Sequence, residues 1–259
     1  MRDILHPSHR AILERFVGVE APNPVLLAFD YDGVLAPLVR DPAGLPMRRS
    51  TRQLLVRLAR HYPVAAVSGR SWTHTRHLTD GMARYVVGNH GFELLHARRV
   101  PAAVLRQVRG WRRQLEAELA GVPGLYFEDK RSTLAVHYGL ARAWRRGEQA
   151  VYAAANRLTG SRLVPGKRVL NVLPRQFPNK GDAIRALLAK LKLGAALYLG
   201  DDVTDEDAFA VGEPLVLGVR VGPGRSLAPW RLESQARVDE LLARLLSLRQ
   251  PAPGRGRSR

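Results

Sequence analysis

The sequence predicts an α/β protein, a Rossmann-like parallel sheet covered by helices and interrupted by an inserted α/β module. Three observations predict it. Short, wholly apolar runs such as VLLAF (Val25–Phe29) end in polar, glycine-containing turns, the pattern of strands buried on both faces. Near both ends of the chain these runs alternate with segments of helical apolar spacing. Between about residues 96 and 174 the order changes to long helix, two closely spaced strands, helix and strand, which sets that stretch apart as an insertion.

Taken in order, Val25–Phe29 runs into Asp30-Tyr31-Asp32-Gly33. Thr51–His61 places Leu54, Leu55 and Leu58 at helical spacing. Val64–Val67 is a second strand that ends in Ser68-Gly69-Arg70 and leads into a helix carrying His74 and His77. Tyr85–Val87 is a third, followed by Gly88-Asn89-His90-Gly91. The insertion begins with a helix over Ala102–Ala120. Strands over Leu125–Asp129 and Thr133–Tyr138, a helix over Ala141–Leu158 and a strand over Arg168–Leu173 follow, with Pro101 and Pro174 near its ends. Lys180–Leu191 is an amphipathic helix, Ala196–Leu199 a strand ending in Gly200-Asp201-Asp202, and Leu241–Leu248 a last helix. The expected division is a core from 1–95 and 175–249, an inserted domain at 96–174 and a flexible basic tail at 250–259.

Composition limits what such a protein does. With 259 residues there is room for one large domain, or one with a smaller companion. Apolar residues make up 46% and charged residues 25%, which excludes disorder over most of the chain. No apolar run approaches the roughly 20 residues that span a bilayer, so no membrane partner is expected, and Met1–Glu20 lacks a signal-peptide core. Cysteine is absent, which excludes disulfides, thiolate catalysis and cysteine metal sites. A cytoplasmic protein fits these features. The formal charge is +18, from 41 basic and 23 acidic residues, and only five of the basic residues are lysine. Such a field attracts phosphate. The arginines are scattered and no nucleic-acid module is recognisable, so nucleic acid is not an expected partner. Arginine-favouring codon usage, or an anionic small substrate, accounts for the charge.

In open α/β sheets ligands bind beyond the carboxyl ends of strands. Three expected strands end there in polar residues, Asp30 with Asp32, then Ser68, then Asp201, and Lys180 opens a helix. A single aspartate after a strand is usually a turn residue or a helix cap. The whole set in this order is not explained that way. A carboxylate such as Asp30 can act as a nucleophile toward phosphorus. Asp32, two residues on, would face the same side of a regular strand and can protonate a leaving alkoxide, then activate water. Clustered carboxylates repel one another, and a hard divalent cation such as Mg2+ relieves the repulsion. Asp201 and Asp205, four apart, would share one side of a helical turn. Ser68 and Lys180 supply a hydroxyl and a cation for phosphoryl oxygens.

DYDGVL (Asp30–Leu35), SGR (Ser68–Arg70), NKG (Asn179–Gly181) and GDDVTDEDAF (Gly200–Phe209) resemble the four motifs of the haloacid-dehalogenase superfamily of phosphatases. More narrowly, from about Pro24 to Val221 the chain resembles the trehalose-6-phosphate phosphatases. The long fourth motif carries this, with GNHG (Gly88–Gly91), EDK (Glu128–Lys130) and HY (His137-Tyr138). The resemblance implies a haloacid-dehalogenase core with an α/β cap, and Mg2+-dependent hydrolysis of trehalose 6-phosphate through an aspartyl-phosphate. It implies that Asp30 is nucleophile and metal ligand, and that Asp32 is general acid and base with its main-chain carbonyl on the metal. Ser68 and Lys180 would hold the phosphoryl group. Asp201 would bind Mg2+, and Asp205 would support the metal directly or through water. Asn89, His90, Glu128 and Lys130 would contact the sugar as the cap closes and excludes bulk water. The implied partner is a small sugar phosphate, and a monomer is expected.

The chain departs from the family pattern in three places. Val34 stands where Thr is usual. LNVLP (Leu170–Pro174) stands where a strand like VELRP is common, which puts Asn171 at the place of a sugar-binding glutamate. Gly139 follows His137-Tyr138 where Arg is common. The last two lie on the sugar side. A phosphatase for another phosphorylated glycoside or polyol is therefore the second expectation. A basic binding or regulatory protein on a decayed core is the third, opposed by the intact Asp30/Asp32, Lys180 and Asp201/Asp205. His6 with His9 and His74 with His77 are expected at the surface, and Trp111 and Trp144 as packing anchors of the cap helices. Arg70 either caps a helix or touches substrate.

Overall fold

A short strand β1 (Arg2–Asp3) and helix α1 (Arg10–Val17) precede β2 (Val25–Phe29). There follow α2 (Arg49–Leu58), β3 (Val64–Val67), α3 (Trp72–Thr79), β4 (Tyr85–Gly88) and β5 (Glu93–Leu94). The chain then forms α4 (Ala102–Glu118), β6 (Tyr126–Asp129), β7 (Leu134–His137), α5 (Trp144–Ala155), β8 (Ser161–Gly166) and β9 (Val169–Pro174). It closes with α6 (Lys180–Leu191), β10 (Ala195–Gly200), α7 (Glu206–Phe209), β11 (Val216–Val221), β12 (Trp230–Leu232) and α8 (Val238–Ser247). This computed structural model describes residues 1–18, 21, 24–39, 46–94, 100–139, 143–166 and 168–249. The expected tail at 250–259 and the expected start of the insertion at 96 lie outside the described residues.

Among these residues eight strands form one sheet in the order β1-β12-β11-β10-β2-β3-β4-β5, parallel except for the β4–β5 pair. The wholly apolar sequence of β2 follows from burial on both sides. Val25, Leu27 and Phe29 join the cluster that holds Leu55 and Leu58 of α2 and Leu241, Leu242 and Leu245 of α8. Leu26 and Ala28 face the other way, toward Ile184, Leu187 and Leu188 of α6. The two-residue alternation of a strand thus splits one apolar run between two cores.

A second, antiparallel sheet has the order β6-β7-β9-β8. Its Phe127, Leu134, Val136, Leu170 and Val172 pack under α4 and α5. Trp111 anchors that layer: it is buried, and its indole N–H donates to the Thr159 carbonyl at 3.2 Å. Trp144 packs against the same cluster, with Arg145 and Arg168 stacked over its ring. The opposite face is left to Glu128, Ala135, Asn171 and Val164, which lie side by side across the four strands. Phe92 and Phe177, which flank this sheet in sequence, stack at 3.7 Å.

Periodicity places most of these elements within a few residues. It does not find α1, β1, β5, β8, α7, β11 or β12. Pro165 sits in β8, and an edge strand tolerates its missing N–H. Gly218 and Arg220 break the apolar run of β11, and a side chain at Gly218 would meet the Phe209 ring at 2.7 Å. His6 is exposed, and His9 donates to or accepts from neither another histidine nor a carboxylate but meets the Asp3 carbonyl, its ring against Trp230. No helix among the described residues is long and apolar enough to cross a membrane.

Candidate active site

Strands β10, β2 and β3 are neighbours, and their registers align Leu199 with Phe29 and Phe29 with Ala66. Their carboxyl ends therefore stop together. Asp30, Ser68 and Asp201 leave them side by side, where connections run to opposite sides of β2. Asp30 is 6% exposed; it accepts from the Tyr31 amide at 2.7 Å and from Lys180 Nζ at 2.9 Å. The strand ends before Asp32, which contradicts the regular-strand expectation for that residue. Instead Tyr31–Ala36 folds into a turn in which the Ala36 amide donates to the Tyr31 carbonyl and the Gly33 amide to the Ala36 carbonyl. Gly33 has φ +77° and lies against the Asp201 carboxylate, so a Cβ there is excluded by space as well as conformation.

Lys180 is the first residue of α6, whose N-terminus is capped reciprocally by Asn179 and Asp182. Its ammonium is 1% exposed and sits between Asp30 and Asp205, 2.9 and 2.7 Å away. Asp205 is fully buried at the end of a short helical turn over Val203–Asp205, and its carboxylate lies on the same side as that of Asp201. One of its oxygens accepts from Lys180 and from the Tyr198 hydroxyl, at 2.7 and 2.6 Å. The other accepts from the amides of Asp201 and Asp202, both at 2.9 Å. Asp205 approaches the backbone of Gly200 so closely that a Cβ there would lie 2.2 Å from its carboxyl carbon. Its lone pairs are used, so it braces Lys180 and the 201–202 loop.

Four carboxylates near one ammonium repel. Burial pushes the Asp30 carboxyl well above its ordinary range, Lys180 opposes this, and Asp205, Asp201 and Asp32 reinforce it. Burial, then Asp205 and Asp202, push Asp201 up to about 7. Burial works against the Lys180 charge, but Asp205 and Asp30 outweigh it and raise its pKa. Ligand atoms of Asp30, Asp201 and Asp205 lie within 4.8 Å of one another. Excess negative charge on hard oxygen donors in a buried cluster fits a divalent cation.

Asp32 is held by Arg70, whose Nε and Nη2 reach its two oxygens at 2.7 and 2.8 Å. Arg70 thus does what neither expectation for it proposed. Ser68 is fully buried, and its hydroxyl accepts from the Arg70 amide at 3.1 Å.

Residues of the four-stranded sheet reach this edge. Lys130 donates to the Gly69 carbonyl at 3.1 Å and lies 3.5 Å from Asn171 Oδ1 and 3.8 Å from Glu128. Burial lowers the Lys130 pKa. Glu128 meets His137 at 3.0 Å; burial raises its pKa, but His137 and Lys130 outweigh that and leave it lowered. His90 packs on Gly69, and neither of its buried ring nitrogens has a hydrogen-bond partner among the described residues. Burial, then Lys130 and Lys180, hold it neutral well below the usual histidine range. The side-chain amide of Asn89 is engaged by Ser132 and Thr133. Tyr198 and Arg220 were not singled out from sequence. A tyrosine in the aliphatic strand AALYLG was the available signal for the first. Arg220, which bonds the Asp202 carbonyl and Glu206, offered none.

A parallel sheet whose central strand ends in Asp30, facing a buried lysine and an acidic loop, with a second sheet inserted in the chain, is the architecture of haloacid-dehalogenase-type phosphatases. Residues 28–234 match the trehalose-phosphatase family profile. A trehalose-phosphate phosphatase of Mycobacterium marinum is 33% identical over 93% of this chain, which spans 66% of that relative's length. A trehalose 6-phosphate phosphatase of Zea mays is 28% identical over 95% of this chain and 77% of its own. The C-terminal domain of the C. albicans trehalose-6-phosphate phosphatase superposes with a TM-score of 0.76 at 22% identity, covering 92% of this chain and 96% of that one. The C-terminal domain of a Candida albicans trehalose synthase regulatory protein superposes with a TM-score of 0.70 at 14% identity, covering 92% and 97%. The chain belongs to the trehalose-phosphatase family.

Proposed function

We propose that this protein is a Mg2+-dependent phosphatase that hydrolyses trehalose 6-phosphate to trehalose and phosphate, working as a monomer. The observation that carries the reading is the buried Asp30–Lys180–Asp205 array with Asp201 beside it, in a chain of this family. A likeness of fold alone extends to a regulatory protein, so the argument rests on these side chains.

Asp30 attacks phosphorus, the phosphorus–oxygen bond to the sugar breaks, and Asp32 gives its proton to the departing sugar oxygen. Water then attacks the aspartyl-phosphate, returning a proton to Asp32 and releasing phosphate and free Asp30. Arg70 fixes the plane of the Asp32 carboxyl group. The Lys180 ammonium and Ser68 hydroxyl hold the phosphoryl oxygens while charge shifts among them. The carboxylates of Asp30 and Asp201 and the main-chain carbonyl of Asp32 would hold Mg2+, which supplies positive charge that lets an anionic phosphate approach an anionic nucleophile. The four-stranded sheet acts as the cap, and its face with Glu128, Lys130 and Asn171 meets the sugar. His90 presents a neutral ring at the same place.

Phosphate release from a panel of sugar phosphates tests this. Trehalose 6-phosphate is expected to be turned over fastest, chelation to abolish release and added Mg2+ to restore it. Release from none of the panel in Mg2+ sinks the phosphatase reading.

Asn171 and Gly139 favour a second reading, a phosphatase for another phosphorylated glycoside. Arg168 lies over Gly139, its Cβ 2.9 Å from where a side chain at 139 would begin, so a larger residue at 139 would have to displace it. A preference for another sugar phosphate by about tenfold or more would select this reading. Asn171→Glu is expected to leave trehalose 6-phosphate turnover equal or improved, because a carboxylate there forms an ion pair with Lys130 where Asn171 offers only a neutral acceptor. Lys130→Ala is expected to cut kcat/KM for trehalose 6-phosphate far more than for a small aryl phosphate, since binding energy at the remote sugar drives closure. Equal losses with both substrates, or an inactive Asn171→Glu, would show that this face does not read trehalose.

A further inference from the structure

We propose that Asn89 is a positioning residue: its side chain clasps the Lys130–Thr133 turn of the cap sheet, and its main chain carries that contact to the Ser68–Arg70 loop, so that docking of the cap holds the loop and Asp32 in place. The inference rests on the phosphatase reading above, and it takes Asn89 out of the sugar-binding set.

Asn89 is fully buried. Its Nδ2 donates to Ser132 Oγ at 2.9 Å, and its Oδ1 accepts from Thr133 Oγ1 at 3.2 Å. Nδ2 also lies 3.5 Å from the Lys130 carbonyl. Both ends of the amide are therefore engaged by one turn, which leaves little for a sugar hydroxyl. Ser132 and Thr133 are themselves buried. The backbone at Asn89 has φ +46°, a left-handed conformation that asparagine tolerates better than most residues.

From that position the contact reaches the chemistry in two steps. The Asn89 amide donates to the Arg70 carbonyl at 2.7 Å, and the next amide, His90, donates to the Ser68 carbonyl at 3.0 Å. Arg70 in turn holds both oxygens of Asp32. A second tie runs in parallel, from Lys130 Nζ to the Gly69 carbonyl. The turn therefore meets the core at the residues that shape the phosphate-binding loop. The bonds are few and polar. When the cap lifts, water replaces each of them at a small net cost, whereas a docked cap lacking one partner leaves a buried group unsatisfied. Such a contact suits reversible docking.

The test uses the full chain with variants on both sides of the clasp. Ser132→Ala and Thr133→Val alter only the cap side and leave the left-handed backbone at 89 untouched. Together they are expected to lower kcat/KM for trehalose 6-phosphate by about tenfold or more, the scale of a buried polar group left unpaired. Because the loop so held carries Ser68, Ser132→Ala is expected to slow hydrolysis of p-nitrophenyl phosphate as well, and unchanged hydrolysis of that substrate overturns the proposal. Asn89→Ala is expected to show a similar loss, and combining it with Ser132→Ala to add little, because both break the same bond. Cap-side variants that behave like wild type, or losses that multiply, overturn the proposal and return Asn89 to direct substrate contact. Where Asn89→Ala does not fold, the cap-side pair decides alone. Hydrogen exchange needs no substrate: the amides of 89–90 are expected to exchange faster in the cap-side pair, and unchanged exchange overturns the proposal. Failure of the wild type to act on trehalose 6-phosphate would count against the functional reading and leave this exchange result standing.

Discussion

Replacing Asp30 with Asn is expected to lower phosphate release by at least about a thousandfold while the fold persists. The amide keeps the size of the carboxylate and one acceptor oxygen, so it serves either the Tyr31 amide or Lys180, which bond different oxygens of Asp30, and it does not form a stable acyl-phosphate by attack on phosphorus. The substitution also removes one charge from a cluster whose members repel. The metal-free variant is therefore expected to melt no lower than wild type. Asp32→Asn gives the contrast. Its loss should fall in the range of about a hundredfold to ten-thousandfold with a sugar phosphate and be smaller with p-nitrophenyl phosphate, whose leaving group needs little protonation. Single-turnover assays and thermal melts on purified variants check both. An Asp30→Asn protein that still releases phosphate near the wild-type rate would falsify the nucleophile assignment.

Lys180→Met is expected to produce the largest loss of stability of any substitution at the site. The ammonium is 1% exposed and bonds two buried carboxylates. Removing one partner of such a group leaves the others charged and unpaired, which costs about 3–5 kcal/mol. Activity should be lost as well, since the phosphoryl group loses a cation. The distinguishing observation is the response to Mg2+. A divalent cation beside Asp30 and Asp201 neutralises part of the same charge, so it should raise the melting temperature of the variant more than that of wild type. Denaturant unfolding with and without Mg2+ reads this directly. A variant as stable as wild type in the absence of metal would mean that the carboxylates are not balanced by Lys180.

The strands most accurately legible in the sequence, β2 and β3, are those buried on both faces. There the physical requirement is local: every residue must be apolar, and a polar turn must end the run. Helix α6 is legible because Asn179, Asp182 and the Ile184–Leu188 face are all in one segment. Strands β8 and β11 were not legible, because what makes them strands lies elsewhere in the chain. The open edge of the cap sheet accommodates Pro165, and the Phe209 ring fills the space left by Gly218.

The same division runs through the site. By itself the sequence determined which residues are the candidates for reactive chemistry, since Asp30, Asp32, Ser68, Lys180 and Asp201 follow strand ends or open a helix, and parallel strands deliver their carboxyl ends to one edge. Only the tertiary structure decided what each of these side chains touches. Asp205 is spent on Lys180, Tyr198 and two amides, Arg70 grips Asp32, and Asn89 bonds Ser132 and Thr133. Each of these contacts except the amides of 201–202 joins residues far apart in sequence or on separate elements. Their partners were set by how the two sheets and the turn at Tyr31–Ala36 pack, and hydrogen bonds of that kind leave no periodicity in the chain to read.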